Sequence, residues 1–186
     1  MNGLSKEEKM SIRSAVALIL SCGLTAISLA QAPPEPPKPG PEQKKLEFLI
    51  GTWKVESEIK ENGYIPAGKN VMTATITLGP GGFFVESRGE GENYPTTYGI
   101  TAYDSQAKLY TTFYASSAGL VGGGTGTVDG NTWTWMLEDK WFGQAFKGRT
   151  TVTVKSATQY TSKYEYLAPD GSYVTIAEGT ATKVAP

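Results

Sequence analysis

The chain has 186 residues, 17 basic and 18 acidic side chains and a formal net charge of −1 at pH 7, the length of one domain around a single substantial core. With no clustered excess of Lys and Arg, a nucleic-acid footprint is excluded. Histidine is absent and the only cysteine is Cys22, which excludes the usual histidine-bearing metal sites, Ser-His-Asp and Cys-His centres, haem on a proximal histidine and any disulfide within the chain.

Residues 14–30 form an apolar run behind Lys6, Lys9 and Arg13, with small residues at its end, the order of a secretory signal peptide. Cleavage after Ala30 is preferred to cleavage after Ala32, because the second choice sets Pro33 beside the cut and restricts the backbone there. Two other readings stay open, an uncleaved anchor helix and a lipoprotein acylated at Cys22. Met10 is an alternative start that removes Glu7 and Glu8 from a region expected to be basic. The expected destination is the periplasm or the exterior, with no stable membrane insertion once residues 1–30 are removed. Residues 31–40 are rich in proline, which fixes φ and lacks an N–H, so they are expected to form an extended tether.

The folded domain is expected over 41–186. Pro41 to Ile50 reads as a short helix, with proline at its start and Glu42 in the first turn. After Gly51, Thr, Val, Tyr and Trp recur between turn signals, among them Glu61-Asn62-Gly63, Asp104-Ser105-Gln106, Asp129-Gly130-Asn131 and Pro169-Asp170-Gly171. The spacing predicts strands at about 52–61, 71–78, 83–90, 97–104, 108–116, 120–128, 132–140, 145–154, 159–167 and 173–183. Closing such a sheet removes its sticky edges. The expected fold is therefore all-β, an up-and-down antiparallel barrel of about ten strands closed at one end by the short helix. A two-sheet sandwich is the competing solution, disfavoured because its crossovers need a long return loop.

Trp53 shares parity with Val55 and Ile59, so it is expected inside, as a floor beneath the helix. Trp133 and Trp135 share one face and suit either a barrel-spanning core pair or the wall of a ligand cavity. Tyr160, Tyr164 and Tyr166 share parity on one strand, as do Tyr110 and Tyr114 on another. They read either as a pocket lining with placed hydroxyls or as a tyrosine-rich exterior. Glu178 has the parity of Val174 and Ile176, which points a carboxylate inward, where it needs a partner such as Arg88 or Arg149 or else stays protonated through a raised pKa. Arg88 and Glu86 share a face, as suits an internal charge pair or an anchor for a ligand carboxylate; protruding strand ends are the alternative. The glycines of 119–126 lack the following helix of a phosphate cradle and read instead as a bent or bulged strand approaching its neighbour.

The strand order, with Pro39-Gly40-Pro41-Glu42, Gly51-Thr52-Trp53, Gly81-Gly82-Phe83-Phe84, Tyr103-Asp104, the run from Gly126 to Trp135, Gly148-Arg149 and the run from Glu178 to Lys183, resembles the bacterial domain of unknown function 1579 family. That family lies within the calycin superfamily of lipocalins and fatty-acid-binding proteins. The resemblance implies the barrel and, by fold analogy, a small apolar ligand, but no catalytic residue. A related class of haem barrels depends on histidine, and this chain has none. No cofactor or metal is expected, and no protein partner is indicated. The candidate ligand-binding residues are Trp133, Trp135, Tyr114, Tyr164, Arg88 and Glu178. An alternative role is a packed barrel that meets a partner or the cell envelope through residues 90–95 and the tether. Carboxylate or tyrosine acid/base catalysis is the least supported reading.

Overall fold

A computed structural model describes residues 35, 37–61, 66–92, 94–141 and 143–184. The chain divides into two units, Met1–Pro37 and Lys38–Pro186. The signal-peptide reading and most of the tether lie outside the described residues, as does the Asn62-Gly63 turn. In the second unit a helix α1 (Pro41–Lys44) tightens into a 3₁₀ turn at Lys45–Leu49. Ten strands follow: β1 (Gly51–Ile59), β2 (Gly68–Leu78), β3 (Phe84–Gly91), β4 (Tyr94–Asp104), β5 (Leu109–Ser116), β6 (Val121–Asp129), β7 (Thr132–Trp141), β8 (Gln144–Ser156), β9 (Gln159–Leu167) and β10 (Tyr173–Lys183). Each strand pairs with its sequence neighbours and β1 pairs with β10, giving a closed antiparallel barrel.

The helix is expected as one α segment over 41–50, but only its first turn is α-helical. Gly40 N–H donates to Gln43 Oε1 at 3.0 Å and fixes the entry. The 3₁₀ turn then feeds Gly51, whose φ of 132° is open only to glycine at little strain. That residue lets the chain turn sharply from helix into β1. Leu46 is buried, and Phe48, Leu49 and Ile50 pack partly against the core.

The closing turns use side chains as well as glycine. Asp104 Oδ1 accepts from the N–H groups of Gln106 and Ala107 at 2.8 and 2.9 Å, and Asp170 Oδ1 accepts from the Ser172 N–H at 2.9 Å. Such Asx geometry holds short hairpin connections in one conformation.

The helix caps the end of the barrel where β1 begins. There Trp53, fully buried, donates from Nε1 to the Leu49 carbonyl at 2.7 Å and lies 4.9 Å from the Tyr160 ring. Trp133 sits 5.4 Å from Phe48 and 4.7 Å from Tyr110. With Ile76, Val85 and Ala181 these rings form the buried core, and the Trp53 floor is in place.

The Tyr110 hydroxyl ties the helix to the barrel wall, lying 3.0 Å from the Glu42 carbonyl oxygen and 2.8 Å from Glu42 Oε2. Burial, followed by the hydrogen bond and charge of Glu42, holds this phenol well above its ordinary range, and burial raises Tyr160 as well. The sign follows from linkage. A phenol whose pKa is higher when folded keeps its proton where the unfolded chain has lost it, so stability is full below about pH 10 and falls as pH rises beyond. Thermal melts between pH 8 and 11 are expected to show a declining midpoint above about pH 10. Tyr110→Phe should flatten part of that decline.

Candidate functional site

Pairing register sorts every described strand residue to one face of the barrel, because side chains alternate and partners share a side. From Trp53 and Trp133 the inner face extends toward the other end through Ser57, Met72, Thr97, Tyr114, Asp139, Phe146, Ser162, Tyr164 and Tyr166. The tyrosines of β5 and β9 therefore line the interior, as do Trp133 and Trp135. The two tryptophans stack at 6.1 Å with 13° between their planes. Trp133 is sealed into the core, and Trp135 is half-buried one step above it.

Packing is graded along the barrel axis. In the closed half Trp53, Val85, Tyr110 and Ala181 are 0–2% exposed, whereas inward-facing Met72, Thr97, Tyr114, Tyr164 and Tyr166 in the other half keep accessible surface.

Inward-facing glycines shape the wall there. A Cβ on Gly148 would stand 2.7 Å from the Tyr164 ring, one on Gly122 would stand 2.7 Å from the Tyr114 ring, and one on Gly126 would stand 2.6 Å from Trp135. Each ring packs against a glycine on the adjacent strand. The β6 ladders carry no register shift, so the expected bulge in 119–126 is absent. The expected close approach is present, because a Cβ on Gly124 would meet the Met136 backbone.

Asp139 lies on this inner face and is 7% exposed. Its Oδ1 accepts from the Tyr114 hydroxyl, and its Oδ2 accepts from the Tyr164 hydroxyl at 3.0 Å. A buried carboxylate is stable only when hydrogen-bonded or paired, and the two phenols provide those bonds. This residue was missed in the sequence, although it has the parity of Trp133 and Trp135 on the same strand.

Two of the candidate residues are not inside. Glu178 pairs across from Glu58 and Lys163 on the outer face and bonds Lys60 at 3.1 Å. The reason is a β-bulge between Thr175 and Ala177, where one extra residue reverses the parity carried from Val174. Arg88 also points outward. Its Nε donates to the Tyr98 hydroxyl at 3.0 Å, its guanidinium pairs with Glu90, and Glu86 is exposed on the same outer face. The inner positions of β3 are Val85, Ser87, Gly89 and Gly91, so on this strand the small residues are inside.

Arg149, the other expected partner of Glu178, instead donates from Nε and Nη2 to Glu165 Oε2 at 2.9 and 2.7 Å. Its guanidinium lies 4.1 Å from the centre of the Tyr173 ring. Lys163 completes the cluster at 2.7 Å from Glu165 Oε1. Burial pushes the Glu165 carboxyl up, but the hydrogen bonds from Lys163 and Arg149, with their charges, outweigh it and hold the group below its ordinary value. This network borders an open trough of about 790 Å³ on the outside of β8, β9, β10, β1 and β2. Glu56, Glu58, Lys69 and Glu178 also border the trough, so charges of both signs line it. Among the described residues, no group of three His, Cys, Asp or Glu side chains converges as metal ligands would.

Residues 38–183 match the family described as "Protein of unknown function (DUF1579)". The chain belongs to the DUF1579 family. No curated protein matches the sequence of this DUF1579 barrel. Among solved structures it is similar to Rv2717c from M. tuberculosis, with 11% identity over 78% of this chain and 99% of that one and a TM-score of 0.57. It is also similar to a DUF3598 protein of unknown function from Nostoc punctiforme, with 11% identity over 75% of this chain and 49% of that one and a TM-score of 0.39. The first likeness extends to the barrel fold, and at that identity to nothing finer.

Proposed function

We propose that this DUF1579 barrel binds a small amphipathic molecule in the half of its interior away from the helix. The observation that carries the reading is the change in burial along the axis, from Trp53, Val85 and Tyr110 at the helix end to the partly accessible Tyr114, Tyr164 and Tyr166 in the other half. A mostly aromatic lining with a few placed polar groups suits such a ligand. The apolar run at residues 14–30 supports export, so the ligand would be one met outside the cytoplasm.

Filling the interior tests this. Ser162 faces inward between Val152 and Gly179, while Thr161 faces outward between Thr153 and Thr180. Ser162→Phe is expected to weaken binding of an environment-sensitive apolar dye at least about tenfold by excluded volume, while Thr161→Phe leaves it unchanged. Equal dye binding by both variants would place the site elsewhere.

A second reading, a barrel that docks a protein on its outer face, is favoured by one observation. Tyr98, Ile100, Phe113 and Val121 are 43–58% exposed on β4, β5 and β6, with Ile100 directly opposite Phe113. Contiguous exposed apolar surface of this kind marks interaction sites. Under that reading, Phe113→Ser abolishes partner capture while interior dye binding persists.

A further inference from the structure

We propose that the head group recognised inside the barrel is an organic cation, a primary or quaternary ammonium on an apolar body, held by Tyr114 and Tyr164 with Asp139 behind them. The inference rests on the interior-ligand reading above and adds the polarity of the ligand.

The hydrogen bonds of the cluster all run toward Asp139. As a carboxylate, Asp139 can only accept, so the Tyr114 and Tyr164 hydroxyls donate to it. A phenol has a single proton, and here each is committed to the carboxylate. With both protons so engaged, neither phenol has an O–H left to donate. A ligand carboxylate would find no donor in this cluster, whereas an ammonium brings donors or a bare positive charge.

The basic side chains lie elsewhere. Arg88 and Arg149 are outside the barrel, engaged with Glu90 and Glu165 respectively. Lys163 is outside with them, and Lys60 pairs with Glu178. Lys183 faces inward but sits at the helix end, its Nζ 5.1 Å from the Trp53 ring centre. Among the described residues, the inward-facing side chains of the accessible half therefore carry one formal charge, the negative charge of Asp139. In a weakly screened interior such a charge acts over a longer range than it would in water.

The lining around Asp139 is aromatic. Tyr114, Tyr164 and Tyr166 face the same half as Asp139, with Phe146 directly across from it on β8. The rings of Tyr114 and Tyr164 rest on Gly122 and Gly148. Aromatic walls with a carboxylate nearby are the chemistry that takes alkylammonium groups, because ring faces and acceptor oxygens both attract a poorly hydrated cation. A barrel built to bind a fatty acid would reverse this polarity and place Arg88 or Arg149 inside.

The test uses the full chain and three probes of matched length, octyltrimethylammonium, octanol and octanoate, titrated by tryptophan fluorescence and calorimetry. The expected order is ammonium tighter than octanol by at least about tenfold, with octanoate weakest. Asp139→Asn is expected to remove most of the ammonium preference and to leave octanol affinity within about twofold. The wild-type ranking needs no variant to fold, so it stands alone as a test. Octanoate binding as tightly as the ammonium, or an unchanged preference in a folded Asp139→Asn, would overturn the cation inference while leaving an interior ligand in place. No binding of any of the three, together with no dye binding, would overturn the interior-ligand reading itself.

Discussion

Trp53→Ala is expected to destabilise the barrel by about 3–5 kcal/mol, read as a lower denaturant midpoint with an unchanged slope. The indole is fully buried, so its removal costs transfer free energy and leaves a cavity that the surrounding wall cannot close. It also deletes the bond from Nε1 to the Leu49 carbonyl, the last residue of the 3₁₀ turn. That carbonyl then loses a partner at the place where the chain turns into β1. Tyr160 and Lys183 lose the ring they pack on as well. Trp53→Phe keeps most of the volume but not the N–H, and is expected to cost roughly half as much. A result below about 1 kcal/mol for Trp53→Ala would mean that the helix end of the barrel is not the rigid half.

Gly124→Ala is the second large effect, and it acts through backbone rather than through a side chain. A Cβ at this position would overlap the Met136 carbonyl and stand 2.9 Å from its carbon and 3.0 Å from Leu137 Cα. None of those atoms can rotate away, so relief requires β6 and β7 to part along a nine-pair ladder. The expected cost is about 1–3 kcal/mol or more, with faster amide exchange in β6 and β7 than in β1 and β10. Gly119→Ala makes a useful contrast. There a Cβ meets nothing, and only the φ of 79° resists it, so its cost is expected to be about 1 kcal/mol.

The ten strands were legible because period-two alternation and turn residues are local signals. Each predicted strand matches an observed one to within three residues at either end. The inward tyrosines and tryptophans were legible for the same reason, since β5, β7 and β9 follow strict alternation at those residues. Glu178 was misread because parity was carried through Ile176 as if the strand were regular. The bulge between Thr175 and Ala177 leaves no composition mark, and one unmatched residue exchanges the faces beyond it.

Arg88 failed for a different reason. On β3 the inner residues after Val85 are Ser87, Gly89 and Gly91, and glycine carries no apolar signal. Their smallness makes room for neighbours, as at Gly89, where a Cβ would stand 2.6 Å from both Met72 Cε and Thr97 Oγ1. Asp139 was the reverse case. Its parity placed it beside Trp135, yet a carboxylate between Glu138 and Lys140 near a strand end reads as one more solvated charge. What distinguishes it is the pair of tyrosines reaching it from β5 and β9, and that convergence exists only once the barrel is closed. The interior site is thus a property of topology, assembled from residues 25 apart in sequence on either side of Asp139.

Native mass spectrometry of the full chain purified from its own source tests the interior-ligand reading most directly. A reproducible noncovalent adduct of small-molecule mass is expected, lost on gentle activation and absent from Ser162→Phe. A chain that carries no adduct, together with dye binding that Ser162→Phe leaves unchanged, would contradict it.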